Sequence, residues 1–117
     1  MRHHNQNRKF GREAGIRRAL LRSLAVALIT RERIRTTEAR AKSLRPFVER
    51  LVTLSKRNTI ASRRLIVARL GEKGDMAEKL AKTIAPRYTD RLGGYTRITK
   101  VSSSRTDAAS MAIVEFV

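Results

Sequence analysis

Cysteine and tryptophan are both absent from this 117-residue chain, while proline and histidine each occur only twice. Without thiols there is no disulfide framework and no thiolate metal site, and nothing points to an oxidising compartment. No apolar run approaches the roughly 18 to 20 residues of a membrane-spanning helix, and the basic helices lack Trp anchors for a bilayer surface. Acids are scarce as well: 10 Asp and Glu stand against 27 Lys and Arg, a formal net charge of +17. A compact protein with that excess repels itself and calls for a polyanionic partner, for which nucleic acid is the natural candidate ahead of an anionic membrane.

Catalytic equipment is equally thin. The two histidines, His3 and His4, are adjacent in a polar terminal stretch. Neighbouring ligands on a flexible chain do not make a rigid metal site, and hydrogen bonding to nucleic acid suits these imidazoles better. Gly93-Gly94 has neither the spacing nor the Lys-Ser/Thr of a phosphate-binding loop. Asp75, Glu78 and Asp90 lie on different elements and read as caps or surface charges. The chain is therefore expected to be no enzyme and to hold no metal or cofactor. Aromatics make up 4% of residues. With Phe47 and Phe116 assigned to apolar faces, Phe10, Tyr88 and Tyr95 are too few for base-by-base stacking. This composition describes a reader of shape and phosphate.

The charge that is present is unevenly spread. Residues 1–69 carry 19 basic and 4 acidic side chains, a net +15, whereas residues 70–117 carry 8 and 6, a net +2. The length suits one domain. Residues 1–11 hold a single large apolar residue, Phe10, so they predict a flexible basic arm, with Arg2, Arg8 and Lys9 available to a phosphate backbone. Residues 12–117 form the compact domain.

From about Arg12 to Arg31, Ile16, Leu20, Leu24, Ala27 and Leu28 recur at helical spacing and predict an amphipathic helix flanked by Arg17, Arg18 and Arg22. Arg33–Thr36 reads as an edge strand, and Thr36 or Thr37 caps a second helix through about Arg57. Pro46 lies inside that helix and predicts a kink or break near Arg45. Asn58 or Thr59 caps a third helix with Ile60, Val67 and Leu70 inward and Gly71 as its stop. A short fourth helix begins at Asp75, whose spacing to Glu78 resembles a capping box, and turns Leu80, Ala81 and Ile84 inward.

Pro86 and Gly93-Gly94 then mark the corner where the pattern changes from helix to strand. Tyr95–Val101 and Ser110–Val117 read as two strands of a C-terminal hairpin joined through Ser102–Asp107. The last strand is apolar on both faces and should be central. The expected architecture is α+β, about four helices packed on a small sheet of about three strands.

The corner also carries a family resemblance. Ala85-Pro-Arg-Tyr-x-Asp-Arg-x-Gly-Gly-Tyr-Thr-Arg-Ile98 resembles the signature of the bacterial large-subunit ribosomal protein seventeen family. Collinear pieces extend the likeness over nearly the whole chain: Met1-Arg2-His3, Arg18–Arg22, Glu32–Thr37, Ala41–Pro46, Leu54–Arg57 and Met111–Glu115. The chain differs at Ile16, where the family often has His, and at Ser104–Asp107, where Arg-x-Gly-Asp is common. The resemblance implies a non-catalytic, cytoplasmic ribosome component that holds large-subunit rRNA near the nascent-chain tunnel exit, beside neighbouring proteins of that region. It places Arg2, His3, Arg8, Arg12, Arg17, Arg22, Arg87, Arg91 and Arg97 against RNA, and the charge pattern adds Lys9 and Arg18. Charge alone supports a DNA-binding or nucleoid-associated protein equally well.

Overall fold

A computed structural model of the chain describes residues 14–71, 74–101 and 110–117. The basic arm, Arg12 and the connection containing Thr106 lie outside the described residues. The described elements follow the order α1 (Ala14–Arg31), β1 (Arg33–Thr37), α2 (Glu38–Arg57), α3 (Ile60–Leu70) and α4 (Asp75–Lys79). A π-turn at Leu80–Ile84 and a 3₁₀ turn at Ala85–Tyr88 lead to β2 (Thr96–Val101) and β3 (Met111–Phe116). The strands form one antiparallel sheet in the order β1-β3-β2, so the last strand is central as its sequence requires. Val114 stands opposite both Ile34 and Ile98. Ala112, Val114 and Phe116 turn to the core, while Met111, Ile113 and Glu115 stay half-buried on the opposite face.

Helix α1 uses its apolar residues selectively. Ala25, Leu28 and Ile29 are fully buried and Leu21 packs beside them, a stripe at helical spacing along the C-terminal half. Ile16, expected on the inward face, is instead 53% exposed, because the packing covers only the later turns of α1. Glu32 ends the helix at φ +65° and accepts the turn into β1.

Helix α2 runs unbroken from Glu38 to Arg57 with Pro46 inside it, so the expected break near Arg45 does not occur. Proline removes the bond to the carbonyl four residues earlier, at Lys42. Both Pro46 and Lys42 are exposed, so water reaches that carbonyl. The opposite face, with Ala41, Leu44, Val48, Leu51 and Val52 buried, holds the helix against the core. Thr37 supplies the N-cap, its hydroxyl accepting from the Arg40 N–H at 3.3 Å.

In α3 the cap is Thr59, in a reciprocal capping box with Ser62, and Gly71 closes the helix in the left-handed conformation. This cap sets a phase in which Ser62, Ile66 and Leu70 face inward. Ile60, expected inward, is 73% exposed, and Val67 is only partly covered. Gly74, at φ +107°, rather than Asp75 occupies the cap position of α4 and no side-chain cap forms there. Asp75 and Glu78 sit in the first turn, where the helix dipole favours acids. The expected inward residues Leu80 and Ile84 are fully buried.

Candidate nucleic-acid interface

Residues 85–98 form the joint of the fold, and their side chains are largely engaged within the protein. Tyr88 is 3% exposed and its hydroxyl donates to the Val117 carbonyl at 2.5 Å. Burial raises the Tyr88 pKa, keeping the phenol protonated as a donor. Tyr95 is fully buried, its ring 5.2 Å from that of Tyr88 and its hydroxyl 3.2 Å from both Thr53 Oγ1 and Lys56 Nζ. Neither tyrosine is a surface for stacking bases. Gly94 adopts φ +67°, the freedom expected of the Gly-Gly corner. Lys56 also donates to the Arg91 carbonyl, which ties α2 to this corner.

The three signature arginines each have an internal partner. Arg87 donates to Glu32 at 2.6 Å, across the corner between α1 and β1. Arg91 donates to the Gly94 carbonyl at 3.2 Å. Arg97 pairs with Glu115, its cross-strand neighbour, at 2.8 Å. Glu32 is additionally 3.7 Å from Lys79, and its carbonyl accepts from Phe116 N–H. The Arg87 hydrogen bond is the main reason that the Glu32 pKa lies below its ordinary value of 4.5. A depressed carboxylate pKa contributes stability that is complete above the unfolded value and is lost as pH falls through the folded one. Glu32→Gln is therefore expected to flatten the loss of stability below about pH 4.5, with little penalty at neutral pH beyond the roughly 0–1 kcal/mol of a half-exposed pair. Urea midpoints measured from pH 3 to 7 test this; parallel pH profiles for the two proteins would refute it.

Acids are thus spent on a particular part of the surface. Glu115 also faces Arg33 at 3.7 Å, and Glu38 pairs with Lys42 at 3.0 Å and Lys100 at 3.4 Å. Glu78 pairs with Lys82 at 2.6 Å, the first cause of its lowered pKa, and Arg63 adds a weaker pull. Glu49 pairs with Arg45 at 3.4 Å and accepts from the Thr96 amide and hydroxyl, fastening β2 to α2. The cations so neutralised lie mainly on the strands, early α2 and the α4-to-joint region.

Most of the remaining cations lie on the first three helices; Arg35 on β1 and Arg91 at the corner are likewise without a carboxylate in ion-pair distance among the described residues. Among the described residues, no carboxylate lies within ion-pair distance of Arg17, Arg18, Arg22 or Arg31 on α1, of Arg40, Arg50 or Arg57 on α2, or of Arg63, Arg64 or Arg69 on α3. Arg22 links two of these helices: its Nε donates to the Arg69 carbonyl at 3.2 Å, and its side chain lies against Gly71, where a Cβ would come within 3.1 Å of it. Of the predicted contacts, Arg17, Arg18 and Arg22 therefore belong to this helical surface. Arg2, His3, Arg8, Lys9 and Arg12 fall outside the described residues. Arg31, Arg40, Arg50, Arg57, Arg63, Arg64 and Arg69 were not among the predicted contacts; for the three on α3 the available signal was the lack of any acid in that helix.

Among the described residues no group of three or more His, Cys, Asp or Glu side chains is placed to hold a metal ion. No helix among them is long and apolar enough to cross a membrane.

These features define a small α+β domain with an arginine-rich helical side largely without acidic partners and a sheet whose cations are only partly paired, Arg33 and Arg97 sharing Glu115 and Lys100 sharing Glu38 with Lys42. The family described as Ribosomal protein L17 matches residues 20–117. The protein named large ribosomal subunit protein bL17 from Fusobacterium nucleatum is 48% identical over 117 residues, covering the whole of both chains. Its namesake from Persephonella marina is 52% identical over 118 residues, covering all of this chain and 95% of the relative. That of Thermomicrobium roseum is 50% identical over 117 residues, covering all of this chain and 99% of the relative. The chain belongs to the ribosomal protein L17 family.

Proposed function

We propose that this chain is a non-enzymatic structural constituent of the large ribosomal subunit in the cytoplasm, binding and stabilising rRNA near the nascent-chain tunnel exit beside neighbouring subunit proteins. The family and the names of its relatives support the ribosomal role. The observation that carries the RNA reading is the distribution of charge: five carboxylates pair with cations of the strands, early α2 and the α4-to-joint region, leaving ten arginines of α1, α2 and α3 without an acidic partner among the described residues. Such a surface attracts phosphate, and binding releases condensed counterions. The arm, through Arg2, His3, Arg8 and Lys9, together with Arg12 at the start of the domain, extends the contact along RNA.

The protein is expected to sediment with large subunits in sucrose gradients and remain there through a moderate-salt wash. Recovery only from the unbound pool would overturn the reading. Competition between structured rRNA fragments and duplex DNA at equal salt separates it from a DNA-binding role, since phosphate attraction is common to both while shape and 2′-hydroxyl contacts favour RNA.

A further inference from the structure

The signature corner has one outward feature that its internal bonding does not use. Leu92 is 98% exposed, beside Gly93 and Gly94, at which an added Cβ would meet nothing within 4 Å. It projects at one side of an open groove of about 430 Å³ between this corner and α2. Pro46, Leu54 and Leu92 give the groove apolar surface, while Arg50, Arg57 and Arg69 supply charge from α2 and α3. The groove's carboxylate, Glu49, is occupied with Arg45 and both polar atoms of Thr96. Its hydroxyl, Thr53 Oγ1, is satisfied by the Glu49 carbonyl and Tyr95.

We infer that this groove is a subsite for one unstacked nucleotide of a bulge or loop in RNA, its base lying against Leu92, Pro46 and Leu54 and its flanking phosphates meeting Arg50, Arg57 and Arg69. The inference rests on the RNA-binding reading above and adds a mode of recognition to it. Charge complementarity selects the occupant: an apolar peptide would leave three guanidinium groups without counter-charge, whereas a nucleotide offers an apolar face and anionic oxygens together. The volume falls within the roughly 300–1,000 Å³ of pockets that accept small ligands. Exposed Leu92 serves as the apolar surface where the buried Tyr88 and Tyr95 cannot.

Large subunits lacking this protein are reconstituted with the full-length wild type, with Leu92→Ala, or with Arg50→Gln/Arg57→Gln/Arg69→Gln, and the rRNA is probed with dimethyl sulfate. Failure of the wild type to join the subunits refutes the underlying RNA-binding reading. With the wild type bound, the expected result is an unpaired base shielded by it and returning about tenfold toward free reactivity with Leu92→Ala, the scale of removing about two methylenes from an apolar contact. The triple variant is expected to lower the salt slope of rRNA binding by about 2, at roughly 0.7 per single-strand phosphate. Protection patterns unchanged by both variants, shielding confined to paired helices, or a neighbouring protein cross-linking to the groove would overturn the subsite while leaving the broader function standing. Leu92→Ala is the decisive variant for folding reasons too, because an almost fully exposed side chain contributes little to the core.

Discussion

Replacing Tyr95 by Ala should lower the unfolding free energy by about 3–5 kcal/mol, the range for deleting a large aromatic from a packed core. Tyr95 is fully buried, and its side chain ties the 3₁₀ turn and α2 to the corner. Its ring packs on Tyr88, and its hydroxyl meets Thr53 and Lys56 on α2. Lys56 Nζ also lies 5.1 Å from the ring centroid. Loss of the ring leaves a void where the corner, α2 and the sheet converge, and it strips partners from half-buried polar atoms. Since small domains have only about 5–15 kcal/mol of net stability, such a change brings this protein near its folding limit. Tyr95→Phe keeps the ring and should cost about 1 kcal/mol, the scale of one hydrogen bond. Urea denaturation followed by circular dichroism distinguishes the two. A Tyr95→Ala protein within 1 kcal/mol of wild type would show that the corner carries no core function.

The second large effect concerns charge. Converting Arg17, Arg18, Arg63 and Arg64 to Gln should reduce the salt slope of rRNA binding by about 3 and weaken affinity near 0.1 M salt by about a thousandfold, if each contacts one phosphate at 0.7–0.9 per contact. None of these four has a carboxylate within ion-pair distance among the described residues, and none is buried. Their loss therefore leaves little uncompensated inside the protein. The paired Arg33 and Arg97 are the informative contrast, because both face Glu115. Neutralising them exposes a carboxylate and should alter the slope less per residue removed. Filter binding over a salt series measures both proteins. Equal slopes for the fourfold variant and wild type would mean that the helical arginines remain hydrated in the complex.

The same partition of charge changes how the signature is understood. A Pro, two glycines and several arginines close together suggested a phosphate contact at residues 85–98. In the folded chain Arg87 and Arg97 have acidic partners drawn from 55 and 18 residues away, and Arg91 bonds to its own corner. Those bonds help hold the joint together while all three side chains stay exposed, so the proposed phosphate contact of Arg87, Arg91 and Arg97 stands beside this structural role, and Leu92 with its groove adds an apolar surface at the corner.

Local chemistry was enough to specify much of this protein. Proline and the paired glycines marked the corner, Thr36 or Thr37 and Asn58 or Thr59 marked helix starts, Gly71 marked a stop, and the alternating apolar residues of the last strand required a central place in an α+β sheet. Net charge pointed to a polyanionic partner. Tertiary structure decided which periodic residues were covered and which charges were cancelled. Ile16 and Ile60 have the composition of core residues but lie where no neighbour covers them. Pro46 remains helical because its lost bond faces water while the opposite side of α2 is held by the core. Glu32 finds Arg87, and Glu49 finds Thr96, only after distant segments meet. Sequence spacing limits what one helix or strand can bring together; burial and ion pairing depend on separations through space, which folding alone sets.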